Sequence, residues 1–144
     1  MSGLRVALVV SRYNEFVTDP LRDAAIETLI AGGVTRERIQ VHAVPGAYEI
    51  PQAAAAIASR KLADVIICVG CVIRGATPHF EYISSAVAHG IMTAAIHTGV
   101  PMAFGVLTTN SVEEALERSA PGPANKGREA ALAALELAGV FHAL

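Results

Sequence analysis

The sequence predicts an α/β chain folded as a three-layer sandwich around a four-stranded parallel sheet. Three observations predict it. Short continuous apolar runs rich in β-branched residues suit strands covered on both faces. Stretches of helical periodicity separate those runs. The segments between successive runs are long enough for the right-handed crossovers that parallel strands require.

Taken in order, LRVALVV at residues 4–10 is the first strand, closed by the polar SRYN. Thr18-Asp19-Pro20 then offers an N-cap with Pro at the first helical position, and Leu21, Ala25, Ile26, Leu29 and Ile30 form a helical stripe that Gly32-Gly33 ends. IQVHAV, 39–44, reads as the second strand, followed by the PGAYEIP turn, with Pro51 opening an alanine-rich helix to about Lys61. The third strand runs from Asp64 to Ile73. From about Phe80 to His97 the spacing of Ile83, Val87, Gly90, Ile91, Ala94 and Ala95 is helical, and Gly99 closes it. PMAFGVLTT, 101–109, is the fourth strand. Ser111-Val112-Glu113-Glu114 has the S-x-x-E form of a capping box, which predicts a helix to about Ser119. PGPANKG breaks the chain before a last helix from Arg128 to about Leu137. The order β-α-β-α-β-α-β-α-α is that of a flavodoxin-like α/β fold. At 144 residues, without long linkers or internal repeats, the chain is expected to form a single domain, 1–144.

The composition is 53% hydrophobic and only 17% charged, against about 25% in an average soluble protein. Mean hydropathy is +0.46. The longest apolar runs, such as VIICVGCVI at 65–73, are strand-sized and fall well short of the roughly 20 residues that span a bilayer. The excess apolar surface is therefore expected to be buried against further copies of the chain. Residues 1–10 carry no cleavage pattern of small residues and read as a strand, so the expected compartment is the cytoplasm. Net charge is −2, with no Lys/Arg cluster to receive a nucleic acid. Cys68 and Cys71 have C-x-x-C spacing but lie on a strand, where residues three apart project to opposite faces. They read as buried structural thiols, and no metal site is expected.

In an open parallel sheet, ligands bind beyond the carboxyl ends of the strands. The segments leaving the four strands are Ser11-Arg12-Tyr13-Asn14, Pro45-Gly46-Ala47-Tyr48-Glu49, Arg74 to His79, and Thr108-Thr109-Asn110. Arg74-Gly75-Ala76-Thr77-Pro78-His79 stands where a helix begins, so free N–H groups and the positive end of the helix dipole favour an anion, phosphate above all. Taken alone, the same residues are explained by a strand-to-helix turn. His79 can exchange a proton near neutral pH; His42, His89, His97 and His142 are read as structural. Glu49 can meet the amide edge of a heterocycle or simply favour a helix start. Tyr13 can stack on a planar ring. Arg118, in the last turn of a short helix, either complements the helix dipole or offers its fork to a phosphate.

SRYN, VPGAYEIP, GCVIRGATPHFEY, GVLTTN, EALER and NKG follow one another in the order and spacing of the lumazine synthase family, which the chain resembles over nearly its whole length. The resemblance implies condensation of 5-amino-6-(D-ribitylamino)uracil with 3,4-dihydroxy-2-butanone 4-phosphate to give 6,7-dimethyl-8-ribityllumazine, phosphate and water, without cofactor or metal. By matching position, it places Tyr13 where the family stacks an aromatic on the uracil, and Ala47, Tyr48, Glu49, Cys71, Val72, Ile73 and Phe104 around the ribitylaminouracil. It assigns Ala76, Thr77 and Arg118 to the butanone phosphate and proton transfer to His79. Phe104 and Arg118 come from the adjacent subunit in relatives, so the implied assembly is built from pentamers with the active site at the subunit interface.

Association with a riboflavin synthase is a further implied partnership. Tyr13 stands where Phe or Trp is more usual, only Met1-Ser2-Gly3 precede the first strand, and Pro121-Gly122-Pro123 stiffens the connection between the last two helices. Pentamer, decamer and 60-subunit capsid all fit these features of the family. The rival readings are a non-catalytic flavin or lumazine carrier, a structural shell, and a different phosphosugar-binding enzyme. Product formation separates the first two from the enzyme, and VPGAYEIP has no reason to occur in the third.

Overall fold

The computed structural model describes residues 3–144; Met1 and Ser2, part of the short segment expected before the first strand, lie outside the described residues. Four strands, β1 (Val6–Ser11), β2 (Ile39–Val44), β3 (Val65–Ile73) and β4 (Met102–Thr109), form one parallel sheet in the order β2-β1-β3-β4. Five α-helices accompany them: α1 (Glu15–Ala31), α2 (Ile50–Ser59), α3 (His79–Thr98), α4 (Val112–Ser119) and α5 (Lys126–Ala143).

The pleat sorts the strand residues into two cores. Val6, Leu8 and Val10 of β1 and Val65, Ile67 and Val69 of β3 pack with Leu21, Ala25 and Leu29 of α1, Ala115 of α4, and Ala130, Ala131 and Ala134 of α5. Ala7, Val9, Ile66 and Cys68 face the other way, onto Ile50, Ala54 and Ile57 of α2 and Val87 and Ile91 of α3. The result is the expected three-layer sandwich, and it explains why the central strands read as continuous apolar runs. Cys68 and Cys71 fall in opposite cores, as the strand period requires. No helix of the described residues is long and apolar enough to cross a membrane.

At the amino edge of the sheet, Asp64 accepts from the Arg5 backbone N–H at 2.8 Å and from its Nη2 at 3.1 Å. This ties the start of β1 to that of β3, and the guanidinium holds the Asp64 carboxyl below its ordinary pKa.

Three local expectations are corrected. α1 starts at Glu15, so Pro20 is an interior residue and Thr18 is not a cap. The helix starts early because Asn14 takes the left-handed conformation, φ 68°, and its carbonyl accepts from Val17 and Thr18 at 2.9 and 3.0 Å. Pro20 withholds one N–H from the carbonyl of Phe16, an exposed residue where water can serve instead. The Thr18 hydroxyl donates to the Ser11 carbonyl at 2.8 Å. The box at the start of α4 is half made: Ser111 Oγ accepts from the Glu114 N–H at 3.1 Å, whereas Glu114 Oε2 takes the N–H of Asn110 at 3.3 Å.

The third correction concerns NKG. α5 begins at Lys126, not Arg128, and runs on to Ala143. Asn125 is 1% exposed; its Oδ1 accepts from Gly127 and Arg128 N–H at 2.8 and 3.0 Å, and its Nδ2 donates to the carbonyls of Ser119 and Ala120 at 2.8 and 3.2 Å. One amide therefore caps α5 and collects the free carbonyls at the end of α4. Gly127 reads in sequence as part of a break, but it is helical: a Cβ there would lie 2.0 Å from the Leu21 carbonyl oxygen. The glycine lets the backbones of α5 and α1 touch.

Gly127→Ala should therefore destabilise the fold by about 3 kcal/mol or more, because backbone rather than a movable side chain opposes the new methyl. Gly139→Ala, in the same helix with nothing within 4 Å of its Cβ position, should be neutral or stabilising by up to about 1 kcal/mol. Denaturant midpoints of the two variants test the pair.

Candidate active site

Because the strands are parallel, their carboxyl ends share one edge, and backbone and side-chain bonds join the four exits into a continuous rim. Arg12 and Tyr13 N–H donate to the carbonyls of Val44 and Pro45 at 2.8 and 3.0 Å, joining the exit of β1 to that of β2. Asn14 Nδ2 donates to the Cys71 carbonyl at 3.0 Å, joining β1 to β3. Arg74 N–H donates to the Thr109 carbonyl at 2.8 Å, joining β3 to β4.

The sequence motifs give Asn14 no site role, although an Asn just ahead of a helical stripe is a fair sign of a left-handed helix start. Its two roles, turning the chain and reaching the end of β3, leave Tyr13 at the crest of the rim, 73% exposed.

The PGAYEIP turn folds as a single 3-10 turn, Ala47–Glu49, leading into α2. Glu49 Oε1 accepts from the Gly46 N–H at 2.9 Å, so the helix-start reading holds for one oxygen; no partner is seen for the other among the described residues. Tyr48 is exposed, while Ala47 is buried against the neighbourhood of Gly70, where a side chain would strike Ile50. What Ala47 can offer a ligand is backbone.

At the end of β3, Val72 leans on the core shared with α2 and α3 and Ile73 on the core shared with α1. Both are half-buried. Cys71 is 2% exposed, its carbonyl is held by Asn14, and burial pushes its thiol pKa up to about 11; that of Cys68 is pushed to about 12. Neither thiol is a nucleophile near neutral pH.

The next turn, residues 74–78, is exposed. The N–H groups of Gly75, Ala76 and Thr77 have no acceptor among the described residues, and the His79 N–H has only a long contact, 3.4 Å, to Thr77 Oγ1. His79 is the first residue of α3 and is exposed. Unbonded donors, a hydroxyl and the positive end of a 20-residue helix thus meet at one place.

Arg74 does not join these donors. Its Nε donates to Asn110 Oδ1 at 2.9 Å, its Nη1 is paired with the Glu81 carboxylate, and its guanidinium lies 4.4 Å from the centre of the Phe80 ring. The bond from Arg74 holds the Glu81 carboxyl below its ordinary pKa.

The chain thus brings Tyr13, Ala47, Tyr48, Glu49, Cys71, Val72, Ile73, Ala76, Thr77 and His79 to one rim. Phe104 and Arg118 stand apart from it. Phe104 is paired with Cys68 in the body of β4, on the face shared with α2 and α3. Arg118 stands in the last turn of α4, whose Ala115 packs on the opposite face. Phe104 is 38% exposed, and Arg118 is exposed with no ion pair among the described residues.

Over residues 3–142 the chain matches the family described as 6,7-dimethyl-8-ribityllumazine synthase. It is 47% identical over 135 residues to the 6,7-dimethyl-8-ribityllumazine synthase of Syntrophus aciditrophicus (strain SB), which covers 94% of this chain and 88% of the relative. It is 46% identical over 142 residues to the protein of the same name from Desulfotalea psychrophila (strain LSv54 / DSM 12343), covering 99% of this chain and 92% of the relative.

The burial of the two thiols leads to a direct expectation. A thiol-exchange reagent at pH 8 should titrate neither Cys68 nor Cys71 in the native protein and both after unfolding in guanidinium. Rapid native reaction at Cys71 would show the strand end to be open.

Proposed function

We propose, on the premise that this chain belongs to the 6,7-dimethyl-8-ribityllumazine synthase family, a division of labour among the rim residues. The chain is a transferase of riboflavin biosynthesis: it condenses 5-amino-6-(D-ribitylamino)uracil with 3,4-dihydroxy-2-butanone 4-phosphate and releases 6,7-dimethyl-8-ribityllumazine, phosphate and water. The observation that carries the division of labour is the adjacency of exposed His79 to the unbonded N–H groups of Gly75, Ala76 and Thr77.

In this reading the uracil ring stacks on Tyr13. Its polar edge meets the backbone of Ala47 and Tyr48 and the unpaired oxygen of Glu49, and the backbone at Cys71, with Val72 and Ile73, forms the floor. The butanone phosphate enters with its anion on the N–H groups of Ala76 and Thr77 and on the Thr77 hydroxyl, where the dipole of α3 adds attraction. The 5-amino group condenses with the ketone to an imine and releases water; loss of the neighbouring C–H proton expels phosphate and leaves an enol, which tautomerises to a ketone, and the ribitylamino nitrogen closes the ring on that carbonyl with loss of a second water. The chemistry asks the protein to align two substrates, move protons and hold the leaving anion. His79, at the first position of α3, is the residue placed to move the protons.

Phe104 and Arg118 belong to the same reading only if a neighbouring subunit supplies them. They lie on opposite faces of the sheet, both exposed. A homopentamer in the cytoplasm, each subunit lending Phe104 as an aromatic wall and Arg118 as a phosphate ligand to the rim of the next, gives both a role. It also covers exposed apolar side chains such as Tyr82, Met92 and Ile96 of α3. Larger shells and association with a riboflavin synthase build on that pentamer.

Steady-state kinetics with each substrate varied, following lumazine and released phosphate, tests the roles. Arg118→Ala should raise KM for the butanone phosphate by about tenfold or more, with little change in KM for the uracil substrate, since one charge-assisted bond is removed. His79→Ala should lower kcat by no more than about a hundredfold, at the low end for proton-transfer groups because alignment persists. An unchanged butanone phosphate KM in Arg118→Ala would remove that residue from the site.

A further inference from the structure

We propose that Arg74 is a positioning residue that clasps the Gly75–Pro78 turn into its anion-receiving shape and is not itself a phosphate ligand. This deepens the reading above and rests on it.

An arginine at the start of a phosphate turn would ordinarily be read as a direct ligand. Its contacts here point elsewhere. Arg74 precedes the turn, and its guanidinium engages the two residues that follow His79: Phe80 through its ring face, 4.4 Å from centroid to Cζ, and Glu81 through an ion pair. The side chain therefore closes a loop around residues 75–79, the stretch that presents the unbonded N–H groups, the Thr77 hydroxyl and His79. On the other side, Nε holds Asn110 Oδ1 at 2.9 Å, and Asn110 is held in turn by Glu114 of α4 at 3.3 Å. The turn is thus referenced to β3, β4, α3 and α4 at once.

Charge argues the same way. Glu81 largely neutralises Arg74, so the pair offers an incoming phosphate little net attraction, and Glu81 alone would repel it. The ion pair is also exposed, with side chains 46% and 53% accessible, and such pairs add little to global stability. What the clasp can do is hold one conformation of an exposed, glycine-containing turn and so lower the ordering cost when the anion arrives.

The two roles make opposite predictions for Glu81→Ala. If Arg74 clasps, removing Glu81 loosens the turn and raises KM for the butanone phosphate by about tenfold, with KM for the uracil substrate within about twofold. If Arg74 is a ligand, Glu81→Ala frees its charge and lowers that KM. Arg74→Lys separates them again: a lysine keeps the point charge but loses Nε and the stacking plane, so the clasp predicts a defect close to that of Arg74→Ala. Adding Glu81→Ala to Arg74→Ala should cost little more than Arg74→Ala alone.

Glu81 is exposed, so its variant carries the test even if the Arg74 variants fold poorly. Thr77→Ala distinguishes the two levels of failure. A raised KM there together with a lowered or unchanged KM in Glu81→Ala overturns the clasp and leaves the site assignment standing. An unchanged KM in Thr77→Ala overturns the phosphate assignment of the turn and the clasp with it.

Discussion

The structure depends first on the common direction of its four strands. A parallel ladder cannot be closed by hairpins, so every connection must cross a face of the sheet, and the crossing helices bury both faces. The same constraint sends every strand out at one edge. Ser11 ends beside Val44 and Ile73 beside Thr109, the second pair running further along the same edge, and the polar residues that follow are brought to that edge together. The bonds from Arg12, Tyr13, Asn14 and Arg74 to neighbouring exits then make this edge a single surface rather than four independent loops.

Depth along each strand assigns the chemistry. Cys71 and Ala47 lie below the surface and offer backbone; Tyr13, Tyr48 and His79 lie above it and offer side chains. Arg74 makes the point most clearly. Its guanidinium is taken up by a carboxylate, an amide and a ring, while the N–H donors of Gly75, Ala76 and Thr77 beside it have no acceptor among the described residues.

Away from the rim, Asn125 and Gly127 set the relation of α4, α5 and α1. The buried Asn125 amide joins the end of one helix to the start of the next, and the missing side chain of Gly127 brings α5 against the backbone of α1. These contacts carry α4, with Arg118 in its last turn, to the face of the sheet opposite α3. Within one chain Arg118 therefore lies on the α1 and α5 side of the sheet, and α3, which the 74–78 turn leads into, lies on the other.

The elements, their order and the two-sided burial of the sheet were determined by the sequence itself, because the period of apolar residues is a local property: VALVV and VIICVGCVI could be little other than buried strands. The motif residues at the strand exits were legible for the same reason, and the resemblance named their chemistry. Boundaries were not legible where distant backbone decides them. The left-handed Asn14 moved the start of α1 ahead of Pro20, and contact with Leu21 made Gly127 a helical residue instead of a break. Only the tertiary structure decided that Arg74 faces Glu81, Phe80 and Asn110, that Glu49 gives one oxygen to Gly46, and that Phe104 and α4 with Arg118 fall on opposite faces of the sheet. Each of these depends on where separate segments come together in space, and residue spacing along the chain carries no record of that.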